Sequence, residues 1–275
     1  MDLRRRDFIR AGGGWLLSLA ARPLRAQAER PAGPAPEPRV VLTWGTNGHA
    51  EGQFDIPIAI VIDRKDEILI TDFRQSDPDA KGRLQRFDPS GRFLEAFELE
   101  PMPGGLALDE EGLLYATHMM RHTVAVYDRM GRRVREFGRP GTAPGEFQQP
   151  GGVAFGPDGS VYVADQVNRR VQKFKPDGTF LLAWGDNEIG PGHFGSPGGL
   201  QGPIAVAVGS NDRVWITATN HYVQRFTVEG RYVCRVGGLG SEPGQFRTPH
   251  GLAFDSHDHL YVVDSRNSRI QKLAI

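Results

Sequence analysis

One phrase, Gly-x-Phe-x-x-Pro, returns four times along this chain: Gly52 to Pro57, Gly145 to Pro150, Gly192 to Pro197 and Gly244 to Pro249. Its phenylalanines are Phe54, Phe147, Phe194 and Phe246, and the spacings of 93, 47 and 52 residues leave room for one more, degenerate copy near Pro103. A period of about 40–50 residues constrains the fold more than any local propensity, because one such unit cannot bury its own apolar face and must stack on its neighbours. After each proline comes a short apolar strand: Ile60-Val61-Ile62, Leu106-Ala107-Leu108, Val153-Ala154-Phe155, Val206-Ala207-Val208 or Leu252-Ala253-Phe254. A second strand follows a polar turn (Ile68 to Asp72, Leu114 to His118, Val161 to Asp165, Val214 to Ala218, Leu260 to Asp264), then a third such as Val171 to Phe174, and a fourth such as Leu181 to Trp184. The first strand is apolar throughout, as burial on both faces requires, and the third alternates apolar and charged. Four antiparallel strands per unit of this length describe a β-propeller blade.

The fifth unit stops after its third strand at Ile275, and a matching fourth strand stands at the other end. Val41-Leu42-Thr43-Trp44-Gly45 parallels Leu181-Leu182-Ala183-Trp184-Gly185. The expected fold is therefore all-β: a closed propeller of five four-stranded antiparallel blades, the last completed by the N-terminal strand. Closure removes the open sheet edge between the ends. Gly 35 and Pro 20 among 275 residues suit many short strands joined by turns.

The first residues are read as an address. Residues 1–28 run from a basic start through a short apolar stretch, Gly14 to Ala21, to the small-residue site Ala26-Gln27-Ala28. That order describes an export signal, and the apolar stretch is too short to span a bilayer. Arg5-Arg6-Asp7-Phe8-Ile9-Arg10 resembles the twin-arginine signature, which implies export of a folded protein to the bacterial periplasm or beyond; whether the signal is cleaved or kept as an anchor is left open. Residues 29–38 form a Pro/Ala-rich linker, and residues 39–275 the propeller. Charges balance at 33 basic and 33 acidic over the whole chain, but removing residues 1–28 leaves 27 against 31, a net −4. An acidic exported protein is expected to bind no nucleic acid, and no integral membrane segment is expected after signal removal. The single Cys234 excludes a disulfide framework, a cysteine zinc site and c-type haem.

Val161-Tyr162-Val163-Ala164-Asp165-Gln166-Val167-Asn168-Arg169-Arg170-Val171-Gln172-Lys173-Phe174 resembles the NHL repeat, and Tyr261 to Gln271 is a second copy. The resemblance covers about residues 40–275. NHL propellers commonly have six blades, so six is the alternative count. The chain is also similar, distantly, to peptidyl-hydroxyglycine amidating lyases, whose zinc is held by Pro-His positions from several blades. Here Pro249-His250 alone survives; Ile58, Gly104, Gly151 and Ile204 stand at the equivalent places, and Val167 replaces the lyases' catalytic tyrosine. A catalytic zinc needs three protein ligands, so no metal and no cofactor is expected.

The loops entering each blade, and those joining its second and third strands, are expected on one face around the channel mouth. Two insertions fall there, at 76–82 and 198–202. Loops on a rigid scaffold are where function concentrates. The candidate ligand-binding residues are Arg74, His118, Asn168, Arg169, His221, His250, Arg266 and Asn267, with Gln75, Gln166 and Asn220 beside them. They make the face polar, rich in donors for carboxylates and carbonyls. Asp72, Asp165 and Asp264 are read as turn caps that meet a later arginine such as Arg170 or Arg269. His257-Asp258-His259 is read as a turn on the opposite face, and Cys234 as a small core filler. The expected function is a non-catalytic scaffold for a protein, peptide or glycan partner. The alternative is a metal-assisted lyase or hydrolase built from His118, His221, His250 and Arg74.

Overall fold

A computed structural model describes residues 38–63, 65–73, 82–99, 104–109, 111–128, 132–185, 193–194, 202–210 and 212–275. Residues 1–37, and with them the signal and nearly all of the linker, lie outside that set. Strand β1 (Arg39–Trp44) comes first. Blade 1 is β2 (Ile56–Ile62), β3 (Ile68–Phe73), β4 (Gly82–Phe87) and β5 (Phe93–Leu99). Blade 2 is β6 (Leu106–Leu108), β7 (Leu114–His118), β8 (Thr123–Tyr127) and β9 (Arg133–Phe137). Blade 3 is β10 (Pro150–Phe155), β11 (Val161–Asp165), β12 (Arg170–Phe174) and β13 (Phe180–Trp184). Blade 4 is β14 (Pro203–Val208), β15 (Arg213–Ala218), β16 (Tyr222–Thr227) and β17 (Tyr232–Gly237). Blade 5 is β18 (Pro249–Phe254), β19 (Leu260–Asp264) and β20 (Arg269–Ala274), with β1 as its outer strand in the order β1-β20-β19-β18. The count is five. The one helical turn among the described residues is a 3-10 segment, Ser265–Asn267, and no helix is long and apolar enough to cross a membrane.

The ring closes through the inner strands, which contact in the cycle β2, β6, β10, β14, β18 and back to β2. Small residues make this convergence possible. Ala59, Gly105, Gly152 and Gly251 each stand two places after a repeat proline, and Ala205 two places after Pro203, which follows the insertion in blade 4. A Cβ added to Gly105 would lie 2.6 Å from the Gly152 Cα, and one on Gly152 2.6 Å from the Ala205 Cα. At the rim, β1 pairs antiparallel with β20 so that Trp44 faces Ile270, as Trp184 faces Val171 in blade 3. The Trp44 ring packs against Phe87 at 6.2 Å and Tyr261 at 6.0 Å, which joins blade 5 to blade 1.

Each of blades 1, 3 and 5 grips the loop leading into it. Asp165 Oδ1 accepts the Gln148 N–H at 2.7 Å, and its Oδ2 accepts from Arg170 Nε at 2.8 Å. The Arg170 guanidinium goes on to the carbonyls of Thr142, Ala143 and Glu146. Asp264 and Arg269 repeat this on the loop at 241–247, and Asp72 and Arg83 on the loop at 48–55. The turn-cap reading of the three aspartates therefore holds. Buried Gln85, Gln172 and Gln271 complete each grip, accepting from the Gly52, Gly145 and Gly244 N–H groups while donating to the carbonyls of Gln53, Glu146 and Gln245. Buried charges are tolerated when paired and hydrogen-bonded in this way. His118, Thr123 and Ala125 stand at the corresponding positions of blade 2.

Candidate functional site

The loop face is built from turns whose last residue adopts a left-handed backbone: His122 (φ 59), Arg169 (φ 53), His221 (φ 67) and Ser268 (φ 49). Such values are uncommon without glycine, and here hydrogen bonds hold them. The Gln149 N–H donates to His122 Nδ1 at 2.9 Å, and the Thr248 N–H donates to His221 Nδ1 at 3.1 Å. Each histidine thus latches the turn of one blade to the lead-in loop of the next. Burial, reinforced by the Arg247 charge, holds the His221 ring below its ordinary pKa, which keeps Nδ1 an acceptor. Ser268 takes the same place at the closing seam, where its hydroxyl meets Asn47 and the Asp55 carbonyl.

His118 Nε2 lies 3.0 Å from the Tyr127 hydroxyl. Asn168 Nδ2 donates to the Gly141 carbonyl and to Asp165 Oδ2, both at 2.8 Å; Asn267 Nδ2 does the same to the Gly240 carbonyl at 2.9 Å and Asp264 Oδ2 at 2.8 Å. The amide hydrogens of both asparagines therefore serve the scaffold and leave only their oxygens for a ligand. Arg169 packs against the backbone of Gly202. Arg266 is exposed on the Ser265–Asn267 turn. Arg74, and nearly all of both insertions, lie outside the described residues.

His250 stands at the inner neck of the channel, a constriction lined also by Ile58, Gly104 and Ile204. Its carbonyl accepts from Thr217 Oγ1 at 2.5 Å, while its Nδ1 is buried with no hydrogen-bond partner. Burial first, and the nearby Arg266 charge second, push the His250 pKa down to about 4, so the ring is neutral at pH 7. Gln166 is a second polar orphan. The sequence reading placed it among exposed loop residues, but it is 5% exposed, its amide lies over Gly151, and its Oε1 is buried without a partner. The turn folds inward there because Gly151 leaves it room. The face is also less polar than expected: Met120 is 85% and Val167 42% exposed on its turns.

Among the described residues no three His, Cys, Asp or Glu side chains gather into a group that could hold a metal, so His118, His221 and His250 do not converge. On the opposite face His257 and His259 form the expected turn, their N–H groups donating to Asp255 Oδ1. Cys234 is half-buried on the outer strand β17 rather than in the core, and is a free thiol.

The NHL repeat profile matches residues 147–174 and 246–273, two copies of the unit that runs through all five blades. No curated protein sequence matches the chain. Among solved structures, a protein of unknown function from Bacteroides thetaiotaomicron is similar over 86% of this chain and 76% of its own, at 14% identity and TM-score 0.58. Myxococcus xanthus glutaminyl cyclase is similar over 86% of this chain and 95% of its own, at 13% identity and TM-score 0.56. A streptogramin B lyase is similar over 79% of this chain but only 64% of its own length, at 18% identity and TM-score 0.46. At these identities the likeness is one of fold, and the fold shown is an NHL-repeat-type β-propeller.

Proposed function

We propose that the protein is an exported, non-catalytic binding scaffold that holds a protein, peptide or glycan partner across the loop face at the channel mouth. The observation that carries this reading is that two of the nine buried polar atoms without partners among the described residues, His250 Nδ1 and Gln166 Oε1, lie at the channel mouth. Buried polar groups are almost always hydrogen-bonded, and an orphan calls for a reason; a bound ligand supplies one. Exposed Arg266 beside His250 adds a donor that suits carboxylates and carbonyls. Met120 and Val167 add apolar anchor points. Export rests on the twin-arginine-like start of residues 1–28.

The test is capture from a periplasmic extract on the purified protein, comparing the parent with an Arg169→Ala/Arg266→Ala variant and with His257→Ala on the opposite face. Losing one hydrogen-bonded partner at a modest interface costs about 1–3 kcal/mol, so the captured partner should be retained some five- to 150-fold less well by the double variant and unchanged by His257→Ala. Equal losses from both faces would place the site wrongly. Stoichiometric zinc in natively exported protein, with capture abolished by chelator, would favour the metal-assisted enzyme instead.

A further inference from the structure

On the loop face, four turns between a second and a third strand end against the residue that precedes the proline opening the next blade. His122 meets Gln149 before Pro150, Arg169 meets Gly202 before Pro203, His221 meets Thr248 before Pro249, and Ser268 meets the Asp55–Ile56 peptide before Pro57. The four turn residues share a left-handed backbone, and Gln149 (φ 53) and Thr248 (φ 50) share it too. Two of these junctions are built from groups that do not titrate near neutral pH. The Gly202 N–H donates to the Gln166 carbonyl at 3.0 Å, and the Ser268 hydroxyl donates to the Asp55 carbonyl at 3.4 Å. The other two are the histidine latches, in which the Gln149 and Thr248 N–H groups donate to ring nitrogens of His122 and His221.

A neutral imidazole offers one ring nitrogen as an acceptor, and an imidazolium offers none. Protonating either ring therefore sets an N–H against an N–H and breaks the latch. Burial is the first influence on the His221 ring; Arg247, on the loop it holds, opposes a second positive charge, and Asp264, at the end of β19, favours one. The balance lies below the ordinary histidine value. The latch is therefore fully made above about 6.5 and is lost as pH falls through the lowered value. At His122 the places of Arg247 and Asp264 are taken by neutral Gln148 and by Asp165, which pairs with Arg170. Arg121 precedes His122 in its own turn.

The opening that follows is local. The Gln148 N–H stays with Asp165 and the Arg247 N–H with Asp264, each within its own blade. The Val167 N–H stays on the Gln148 carbonyl and the Arg266 N–H on the Arg247 carbonyl, both at 3.1 Å. Only the latches among these bonds cross to a neighbour, from blade 2 to blade 3 and from blade 4 to blade 5. The segments they free run into the channel mouth. Thr248 stands two residues before His250, and Gln149 two residues before Gly151, over which the Gln166 amide lies.

We propose that His122 and His221 are acid-operated latches that open the loop face below neutral pH and release what it holds. Release rests on reading that face as the binding surface; the opening itself does not.

The test is amide hydrogen exchange of the free protein at pH 7.5 and 5, corrected for the intrinsic rate at each pH. At pH 5 His250, with its pKa of about 4, is still mostly neutral. Losing one ordinary hydrogen bond to a ring that protonates near 6.5 when open should lower the protection of the Gln149 and Thr248 amides about five- to 30-fold, while the Val167 and Arg266 amides change by less than about twofold. His122→Asn/His221→Asn keeps an acceptor oxygen in the place of Nδ1 and suits the left-handed backbone, so both latch amides should hold their protection at pH 5. If that variant does not fold, the contrast between latch and turn amides in the parent decides. A partner captured at pH 7.5 should leave the parent at pH 5 and stay on the asparagine variant. Unchanged protection of the latch amides overturns the proposal, as does an equal loss at all four amides or an equal loss in the asparagine variant. Latches that open while the partner stays bound overturn release and leave the scaffold reading standing. A protein that captures nothing at pH 7.5 overturns the scaffold reading, and the exchange data still decide whether the latches open.

Discussion

His250 makes the propeller sensitive to mild acid. Burial, with Arg266 nearby, lowers its pKa to about 4, whereas an unfolded chain protonates this ring near 6.5. The folded state therefore prefers the neutral ring. Above pH 6.5 neither state is protonated and the contribution to stability is complete. As pH falls from 6.5 toward 4 the unfolded state takes up a proton that the folded state refuses, and stability drains away. A depression of this size corresponds to about 3 kcal/mol, a large part of the roughly 5–15 kcal/mol that holds a domain together. The perturbation to use is His250→Ile, because isoleucine already occupies the same channel position in blades 1 and 4, at Ile58 and Ile204. Urea unfolding of parent and variant at pH 7.5, 5 and 4 separates this effect from the other titrating groups, His221 included, since those are common to both proteins. The parent-minus-variant stability should fall by about 3 kcal/mol between pH 7.5 and 4, which is roughly 1 M in urea midpoint for a domain of this size. A difference that stays constant within about 0.5 kcal/mol would mean that His250 is not held neutral by its surroundings.

Two other outcomes follow from the fold and the signal. Deleting residues 39–45 removes the strand that pairs with β20 and the Trp44 contacts to Phe87 and Tyr261; losing one large and two aliphatic side chains from partial burial costs on the order of 5 kcal/mol, so calorimetry should show a melting temperature lower by roughly 10–20 °C, and an unchanged one would refute closure by β1. Changing Arg5 and Arg6 to lysine should stop export of the full chain by the twin-arginine route, read as loss of the protein from the periplasmic fraction; continued export would assign the general secretory route.

Most of the architecture was legible because each blade repeats the same physical demands. The proline before each inner strand, the small residue two places later and the alternating third strand recur often enough to be aligned by eye. The match of Val41–Gly45 to Leu181–Gly185 located the closing strand for the same reason. Position within the channel was also readable: His250 sits at the neck because Ile58 and Ile204 do. Other features were not readable. Gln166 was taken for a surface side chain because a polar residue in a turn usually is one, and its burial depends on the space that Gly151 leaves in a neighbouring strand. Met120 carried no sign of its exposure, since the sequence does not say which way a turn side chain leans. The buried glutamines did leave a signal, a glutamine at one fixed place in the third strand of blades 1, 3, 4 and 5, but its meaning required the lead-in loops to be folded back over it.

Repetition also supplies internal controls that a single-copy fold lacks. At each position four other copies show what the scaffold alone requires, so a departure is measured against the same backbone in the same protein. Leu69 against the four aromatics at its register position, Tyr115, Tyr162, Trp215 and Tyr261, Asp63 against an Asp255 fully partnered by Tyr261 and Lys272, and His250 against two isoleucines and two glycines each lower the stability that the repeat pattern would otherwise deliver. Cavities cost about 20 cal/mol per Å² of their surface, and an orphaned buried nitrogen costs about 1–3 kcal/mol. A closed ring can absorb such losses at one seam because the other four hold its ends together. Other departures lie elsewhere: blade 2 has His118, Thr123 and Ala125 where blades 1, 3 and 5 have their aspartate, arginine and glutamine. The channel neck is a place where a ligand would restore what the scaffold gives up, by meeting the unpaired ring nitrogen of His250.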